Sequence, residues 1–276
     1  MALTNKELAY LEIYKNSNAE EAVQKIHPEM DSIYAFLYTG SINYRNINIF
    51  LSFISDPDSV PYKDVNIRYI EDMIDMIKSI IHASCEYALS NPLRQKYLYR
   101  FENENNVPAY ERRELNSFKS TSASSSEATV FDYPNTTSFA YEVNTGFIPH
   151  VSIDSVIDGG MFSDEKEILF PPFLHIFLTE EYNDTHSGPY RIARIEDHFD
   201  DESFINQEEL DRLYQDAISK VEHIHNRDQK AGIVSEELSN TTFVIYNYLR
   251  EYARNMFREY KQKYEQKYQK GEEKQY

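Results

Sequence analysis

Two glutamates separated by a single residue are the clearest candidates for chemistry in this sequence. Glu165 and Glu167 flank Lys166, directly before the apolar run 168–170. In a strand, residues i and i+2 project from the same face, so both carboxylates would share one site while the lysine points away. Two such carboxylates can divide their roles, one staying ionised beside a developing positive charge and the other handling a proton. Acidic residues make up 46 of the 276, however, so this spacing also arises by chance.

Two upstream segments add functional groups that suit the same chemistry. Arg100 lies in the β-rich run LYRF, and a run of three hydroxyl residues follows it at Ser120, Thr121 and Ser122. An arginine on a strand can hold a pyrophosphate through bidentate, charge-assisted hydrogen bonds. Hydroxyls on the next strand can bind a ribose and orient a carboxylate. Paired glutamates downstream then fit the cleavage of a glycosidic bond through an oxocarbenium-like transition state.

Other residue types with catalytic or metal-binding potential give weaker patterns. His223 and His225 would lie on different faces of a helix, which argues against a shared metal, and no metal site is predicted. Cys85, on the apolar face of a predicted helix, is most simply a small buried side chain. The seven glycines form neither the GxGxxG nor the GxxxxGK[ST] spacing, which excludes a Rossmann fingerprint and a Walker A loop.

Composition and charge exclude several classes of protein. The net charge of −18 argues against broad binding of nucleic acid, which needs clustered lysine and arginine. The single cysteine excludes an internal disulfide and agrees with a reducing compartment. The longest apolar runs are far shorter than the ~18 residues of a membrane span, and the first residues lack the apolar region of a secretory signal. We therefore expect a cytoplasmic protein with no membrane or nucleic-acid partner.

Three stretches of different pattern must position the candidate residues. Up to about residue 90 the pattern is helical, with a capping-box spacing at Thr4 and Glu7 and a long amphipathic helix over 70–87. From about 92 to 196, short β-rich runs are separated by serine, proline and glycine clusters. These runs are KYLYRF, ATVFDY, SFAYEV, IPHVSI, EILF, FLHIFL and YRIARIE. Strands at this spacing predict a sandwich of two small antiparallel or mixed sheets.

Helical pattern returns after about residue 200. Asn206 and Glu209 give a capping-box spacing before one amphipathic helix, and a second long helix is predicted from near Ser235 towards Lys270. The second helix carries a tyrosine stripe at helical spacing, which serves packing or an interface more simply than chemistry. The stripe consists of Tyr260, Tyr264 and Tyr268.

The arginine, the hydroxyl run and the glutamate pair occur in the order found in a known family. The sequence resembles the mono-ADP-ribosyltransferases of the Arg-Ser-Glu type, above all bacterial actin-modifying toxin components and the arginine-specific animal enzymes. The resemblance spans roughly residues 33–196. It includes YTGSINYRNIN, from Tyr38 to Asn48, which looks like a helical-lobe motif of the toxin branch. It implies action in the cytoplasm, or in that of a target cell reached through separate delivery machinery.

The resemblance implies a role around NAD for each matched residue upstream. Arg100 would hold the NAD phosphates, with Arg94 as a nearby competitor for that role. Ser120 would orient the catalytic glutamate. Thr121 and Ser122 would support the nicotinamide ribose side.

The acidic pair and its surroundings have implied roles as well. Glu167 would hydrogen-bond the ribose 2′-hydroxyl and stabilise the oxocarbenium ion, and Glu165 would engage the acceptor arginine. Phe162 matches the exposed aromatic of the family's substrate-recognition turn. Either Phe131 or Tyr133 could stack on the nicotinamide.

The sequence therefore predicts an α+β enzyme with NAD as co-substrate. Residues 1–200 would form an ADP-ribosyltransferase domain, with a helical lobe over 1–90 and a two-sheet β-sandwich core over 91–200. Residues 201–276 would form a helical C-terminal extension. The expected reaction moves ADP-ribose from NAD to an arginine of a target protein. Two alternatives stay open: a NAD glycohydrolase with water as acceptor, and a non-enzymatic module of the same fold that binds a helical partner through its C-terminal helices.

Overall fold

The structure is a computed structural model, and it describes most of the helices and strands of the chain. The described residues are 3–15, 44–61, 65, 67, 70–103, 114–115, 117–123, 136–143, 146–156, 167–185, 188–196 and 206–272. The helices are α1 (Asn5–Lys15), α2 (Tyr44–Ser55), α3 (Ile70–Ser90), α4 (Ile153–Val156), α5 (Gln207–Ala231) and α6 (Glu236–Glu272). A short 3-10 turn covers Pro57–Ser59.

The predicted helix starts are confirmed where the structure describes them. The Thr4 N–H donates to Glu7 Oε2 (2.7 Å), and the Glu7 N–H donates to Thr4 Oγ1 (3.3 Å), which completes a reciprocal capping box at α1. Asn206 caps α5, but its side chain accepts from the N–H of Glu208 and not from that of Glu209. At the other end of α5, Gly232 adopts a left-handed conformation (φ 66°) that suits a residue without a Cβ.

The strands form one mixed sheet. They are β1 (Tyr97–Asn103), β2 (Lys119–Ser122), β3 (Thr136–Val143), β4 (Val151–Ser152), β5 (Glu167–Phe170), β6 (His175–Thr185) and β7 (Gly188–Glu196). Their order in the sheet is β4-β5-β2-β1-β3-β7-β6. Every pairing is antiparallel except that of β3 with β7.

One feature of the sheet differs from the sequence prediction and another agrees with it. The expected division into two sheets is not confirmed, because β3 pairs with β1 on one side and with β7 on the other and so joins all seven described strands. The hydroxyl run forms strand β2, which agrees with the expectation that these hydroxyls lie on the strand after Arg100. The predicted strand ATVFDY (128–133) lies outside the described residues.

Helix α6 is the main packing element of the helical layer. It contacts α2, α3 and α5, and α1 packs on α3. A fully buried apolar row runs along it at helical spacing. The row comprises Leu238, Ile245, Leu249, Ala253 and Phe257. None of the described helices combines the length and apolar character needed to cross a membrane.

The tyrosine stripe of α6 packs largely within the chain. Tyr260 is 2% exposed, and the ring of Tyr264 lies 5.7 Å from that of Phe147, centroid to centroid. Tyr268, near the end of the helix, stays 36% exposed. The stripe therefore serves mainly internal packing, as the sequence favours.

Candidate active site

Strand β2 brings the hydroxyl run alongside the second glutamate. In the antiparallel pairing of β2 with β5, Ser122 lies directly opposite Glu167. On its other side, Ser122 lies opposite Tyr99 of β1. Residues directly opposite in neighbouring strands share a face of the sheet, so these three form one row across β5, β2 and β1. The row joins a carboxylate, a hydroxyl and a phenol from distant parts of the sequence.

The row is buried at its carboxylate end. Glu167 is 2% exposed and Ser122 is 5% exposed. Glutamate is among the residue types least often fully buried, because a charged group loses hydration free energy on leaving water. A buried carboxylate at the start of a strand is therefore an uncommon placement, and it makes Glu167 a candidate functional residue.

Thr121 joins the two strands through its side chain. Its Oγ1 donates to the main-chain carbonyl of Ile168 at 2.9 Å, and the residue is 4% exposed. The single hydroxyl proton is used in this bond, so Thr121 helps to hold β2 against β5. The main chain of Ser120 lies opposite Leu169, and the structure describes nothing of its side chain.

Arg100 follows Tyr99 in β1 and is paired with Phe139 of β3. Successive residues of a strand point to opposite faces, so Arg100 leaves the sheet on the face of Phe139 and not on that of Ser122. The pairing therefore does not bring Arg100 into the row of Glu167. Arg94, the competing arginine, is exposed and precedes the strand.

Several predicted site residues lie outside the described part of the chain. These are Glu165, Phe162, Phe131 and Tyr133. Their assigned roles stay predictions. Within the described ranges, no three histidine, cysteine, aspartate or glutamate side chains are placed to hold a metal ion.

Tyr99 was not identified from the sequence, yet two contacts hold it in the row. Its hydroxyl accepts a hydrogen bond from Nδ2 of Asn183 at 3.2 Å. Its ring meets the ring of Tyr190 edge to face, at 5.0 Å between centroids, and Tyr190 is fully buried. Such aromatic pairs restrict both rings beyond their contribution to buried area. No local sequence pattern distinguishes Tyr99 from its neighbours Tyr97 and Leu98.

The side chain of Asn48 in α2 forms two hydrogen bonds with the main chain immediately before β2. Its Oδ1 accepts from the N–H of Phe118 at 2.9 Å, and its Nδ2 donates to the carbonyl of Phe118 at 3.3 Å. Phe118 is 1% exposed, so both main-chain groups depend on protein partners. Helix α2 is thereby attached to the segment that leads into the strand carrying the hydroxyl run. Asn48 belongs to the YTGSINYRNIN segment, which is the sequence signal that points to it.

On the side of β1 away from β2, a cluster of ion pairs links strands β3 and β7. Nε of Arg194 (β7) lies 2.6 Å from Oε2 of Glu142 (β3), and Nζ of Lys96 lies 3.1 Å from Oε1 of Glu142. The hydrogen bond from Arg194 holds the pKa of Glu142 below its ordinary value, and the bond from Lys96 acts in the same direction. Glu142 therefore stays ionised at neutral pH and ties β3 to β7.

Comparison with known proteins gives a likeness in structure but none in sequence family. A scan against models of protein families finds no match. A search of curated proteins finds no match either. Among solved structures, the chain matches the crystal structure of the ADP-ribosyltransferase HopU1 of Pseudomonas syringae pv. Tomato DC3000. The match has 12% sequence identity and a TM-score of 0.38, and it covers 71% of this chain and 98% of HopU1. Because the identity and the TM-score are low, the assignment of function depends on the site residues.

Proposed function

We propose that this protein transfers ADP-ribose from NAD to an arginine of a target protein and releases nicotinamide. The observation that supports this most is the burial of Glu167 directly opposite Ser122, in the motif order that the sequence resemblance predicts. A carboxylate fixed in a poorly hydrated site stabilises a developing positive charge much more than it does in water. Cleavage of the nicotinamide–ribose bond develops such a charge on the ribose.

The reaction needs a carboxylate on the NAD side and a second group on the acceptor side. In the proposed reaction the bond from C1′ of the ribose to nicotinamide breaks, and nicotinamide leaves with the electron pair. A guanidinium nitrogen of the target arginine then bonds to C1′ and loses one proton. Arginine is protonated at neutral pH and is a poor nucleophile, so a base must accept that proton. We assign this role to Glu165, and stabilisation of the ribose charge to Glu167.

The remaining predicted residues fit the other parts of NAD. The pyrophosphate is anionic, and a chain of net charge −18 must supply local positive charge to hold it. Arg100 is the proposed ligand. Because Arg100 lies on the face of Phe139 and not on that of Ser122, its assignment rests on the sequence resemblance and not on the geometry of the sheet. Ser120 is proposed to orient Glu167, Thr121 and Ser122 to support the nicotinamide ribose side, and Phe162 to contact the target protein.

An experiment with two acceptors separates transfer from hydrolysis. The protein is incubated with labelled NAD in the presence of agmatine, and nicotinamide, free ADP-ribose and ADP-ribosyl-agmatine are measured in one reaction. The proposal predicts that Glu165→Gln abolishes agmatine labelling and leaves substantial hydrolysis, since water needs no such base. Glu180→Gln, the same change at an exposed glutamate of β6, is the control and should retain both activities.

The other outcomes of this experiment are equally informative. Wild-type protein that releases nicotinamide but never labels agmatine or a lysate protein would be a NAD glycohydrolase. Equal loss of both products in Glu165→Gln would place Glu165 in the NAD-cleaving step. Wild-type protein that releases no nicotinamide would contradict the proposed reaction.

A further inference from the structure

We propose that the C-terminal helix α6 sets the register of the two strands of the candidate site, with Tyr246 and Arg250 as positioning residues. This inference rests on the proposed function for its catalytic consequence. Its structural basis is a joint, formed by residues 114–115 and 173–175, at which the chain leaving β5 meets the chain that leads into β2.

The joint begins at a turn of unfavourable backbone conformation. Pro171 and Pro172 follow β5, and the next residue, Phe173, has φ 70°. It is the only residue other than glycine with a positive φ in the described part of the chain. A bulky residue in this region is a genuine outlier, and such a conformation persists only where the surroundings impose it.

Main-chain hydrogen bonds tie this turn to the segment before β2. The N–H of Phe173 donates to the carbonyl of Leu115 at 2.7 Å, and the N–H of Leu115 donates to the carbonyl of Leu174 at 2.8 Å. Glu114 and His175 form an isolated antiparallel bridge beside them. The chain leaving β5 and the chain approaching β2 are therefore paired with each other.

Helix α6 holds both halves of the joint from one face. Nε of Arg250 lies 2.9 and 2.7 Å from the two carboxylate oxygens of Glu114. One helical turn earlier, the ring of Tyr246 meets the ring of Phe173 edge to face, at 5.4 Å between centroids. Phe173 is 1% exposed, and the Glu114 side chain is 14% exposed. Residues one turn apart share a helix face, so a single surface of α6 contacts the segments on either side of the joint.

This attachment matters because β2 and β5 are short. Each has four residues, and their pairing places Ser122 opposite Glu167. A slip of one residue in a strand pair moves every side chain of that strand to the opposite face. Such a slip would remove Glu167 from the row of Ser122 and Tyr99. By fixing where β5 ends relative to where β2 begins, Tyr246 and Arg250 favour the register that the proposed catalysis needs.

A second arginine of the C-terminal helices provides a matched control. Arg227 lies at the end of α5, with Nη1 2.8 Å from Glu237 Oε2 and Nη2 2.7 Å from Asp228 Oδ1. These partners lie in the last turn of α5 and the first turn of α6, and not in the joint. Arg227→Gln and Arg250→Gln therefore make the same chemical change to ion pairs of the same helical hairpin.

The test measures nicotinamide release and hydrogen exchange on the full chain. For Arg250→Gln we expect kcat to fall about 10- to 100-fold, the cost of a small misplacement of reacting groups, while KM for NAD changes little. Amides of 119–122 and 167–170 should exchange faster. Tyr246→Leu should act in the same direction. Arg250→Lys, which keeps the positive charge beside Glu114, should retain more activity than Arg250→Gln. Arg227→Gln should lower the melting temperature without changing kcat per folded molecule.

Three other outcomes would contradict all or part of this proposal. Unchanged kcat and unchanged exchange in Arg250→Gln would overturn it. A loss of activity that only follows the fraction unfolded, equal for Arg250→Gln and Arg227→Gln, would reduce α6 to general stabilisation and also overturn it. Wild-type protein without nicotinamide release would refute the proposed function and the catalytic role of α6 together. The exchange data would then still decide whether α6 holds the register of β2 and β5.

Discussion

Ser122 lies directly opposite Glu167 across strands β2 and β5, and both side chains are buried. The two residues come from separate segments of the sequence: Ser122 from the hydroxyl run and Glu167 from the acidic pair. Their pairing gives the carboxylate a hydroxyl neighbour and a surrounding of low hydration. An ionised group in such a site acts more strongly on a nearby charge than an exposed one does.

Arg100 is predicted to act on NAD binding and not on bond cleavage. Arg100→Lys keeps the charge but loses the planar, bidentate fork that matches a phosphate. We expect KM for NAD to rise about tenfold with kcat little changed, because a phosphate contact acts on ground and transition states alike. Initial rates of nicotinamide release over a range of NAD concentrations give both constants.

The matched change for this prediction is Arg94→Lys. Arg94 is exposed and lies before β1, so its replacement should leave both constants unchanged. The opposite pattern, with damage from Arg94→Lys and none from Arg100→Lys, would show that the phosphate ligand lies outside the strand. It would also agree with the placement of Arg100 on the face of Phe139.

Asn48 is predicted to stabilise the contact between helix α2 and the segment that leads into β2. Asn48→Ala removes both hydrogen bonds to the main chain of Phe118, whose groups are buried. Buried main-chain groups without partners cost about 1–3 kcal/mol, so the free energy of unfolding should fall by an amount of this order. Urea unfolding, followed by circular dichroism, measures the change.

An exposed asparagine serves as the comparison for Asn48. Asn91 also donates from Nδ2 to a main-chain carbonyl, that of Tyr87 at 3.1 Å, but at the surface. Asn91→Ala should change the free energy of unfolding by no more than about 0.5 kcal/mol. Equal effects of the two substitutions would contradict the special role of the Asn48 contact.

A histidine between a carboxylate and a tyrosine hydroxyl joins three helices and predicts a pH dependence of stability. Nδ1 of His82 (α3) lies 2.5 Å from Oε1 of Glu7 (α1), and Nε2 lies 3.0 Å from the hydroxyl of Tyr260 (α6). Tyr260 donates its proton to Oε1 of Glu86. The Tyr260 oxygen can therefore only accept from Nε2, and ionised Glu7 can only accept from Nδ1. Both ring nitrogens thus donate, which requires the charged imidazolium.

The pKa shifts define the pH range of this contribution. The hydrogen bond to Glu7 raises the pKa of His82 above its ordinary value of 6.5, against the opposing effect of burial. Burial would raise the pKa of Glu7, but the bonds from His82 and Thr4 outweigh it and lower the pKa below 4.5. The stabilisation is therefore complete between about pH 4.5 and 6.5. It is lost as the pH rises through the raised pKa of His82, and again as it falls through the lowered pKa of Glu7.

Replacement of His82 tests this range directly. The His82 side chain is 37% exposed, so we expect His82→Gln to cost only about 1 kcal/mol at pH 6. The difference from wild type should be smaller at pH 9 than at pH 6, because the native histidine loses its proton as the pH rises through its raised pKa. Thermal unfolding at both pH values gives the comparison. A difference that grows with pH would contradict the charged form of His82.

The sequence predicts local elements better than the contacts between them. Helix α3 and the capping box of Thr4 follow from periodicity and from a spacing within one turn, and both are present. The bond of Asn48 to Phe118 and that of Arg250 to Glu114 join residues far apart in the sequence. No local pattern encodes such pairs, because they depend on how the sheet and helices pack.

In the site, too, local sequence patterns predict some of the residues, whereas others depend on contacts between distant segments. The motif order predicts Glu167 and Ser122 as members of one site, and the pairing of β2 with β5 places them side by side. Tyr99 is not predictable, since its position in the row depends on the register of β1 against β2. The single continuous sheet cannot be predicted from local patterns either, because it depends on the pairing of β3 with both β1 and β7.

Release of nicotinamide from labelled NAD by wild-type protein and by Glu167→Gln tests the central claim most directly. The substitution keeps the shape of the side chain and removes its charge. The loss of one electrostatic contact to a developing charge lowers rates by about 10²–10³-fold, and we predict a loss of this size in kcat. Glu180→Gln should retain wild-type activity, and circular dichroism should show that both variants are folded. Release by Glu167→Gln at the wild-type rate, or no release by wild type itself, would contradict the account.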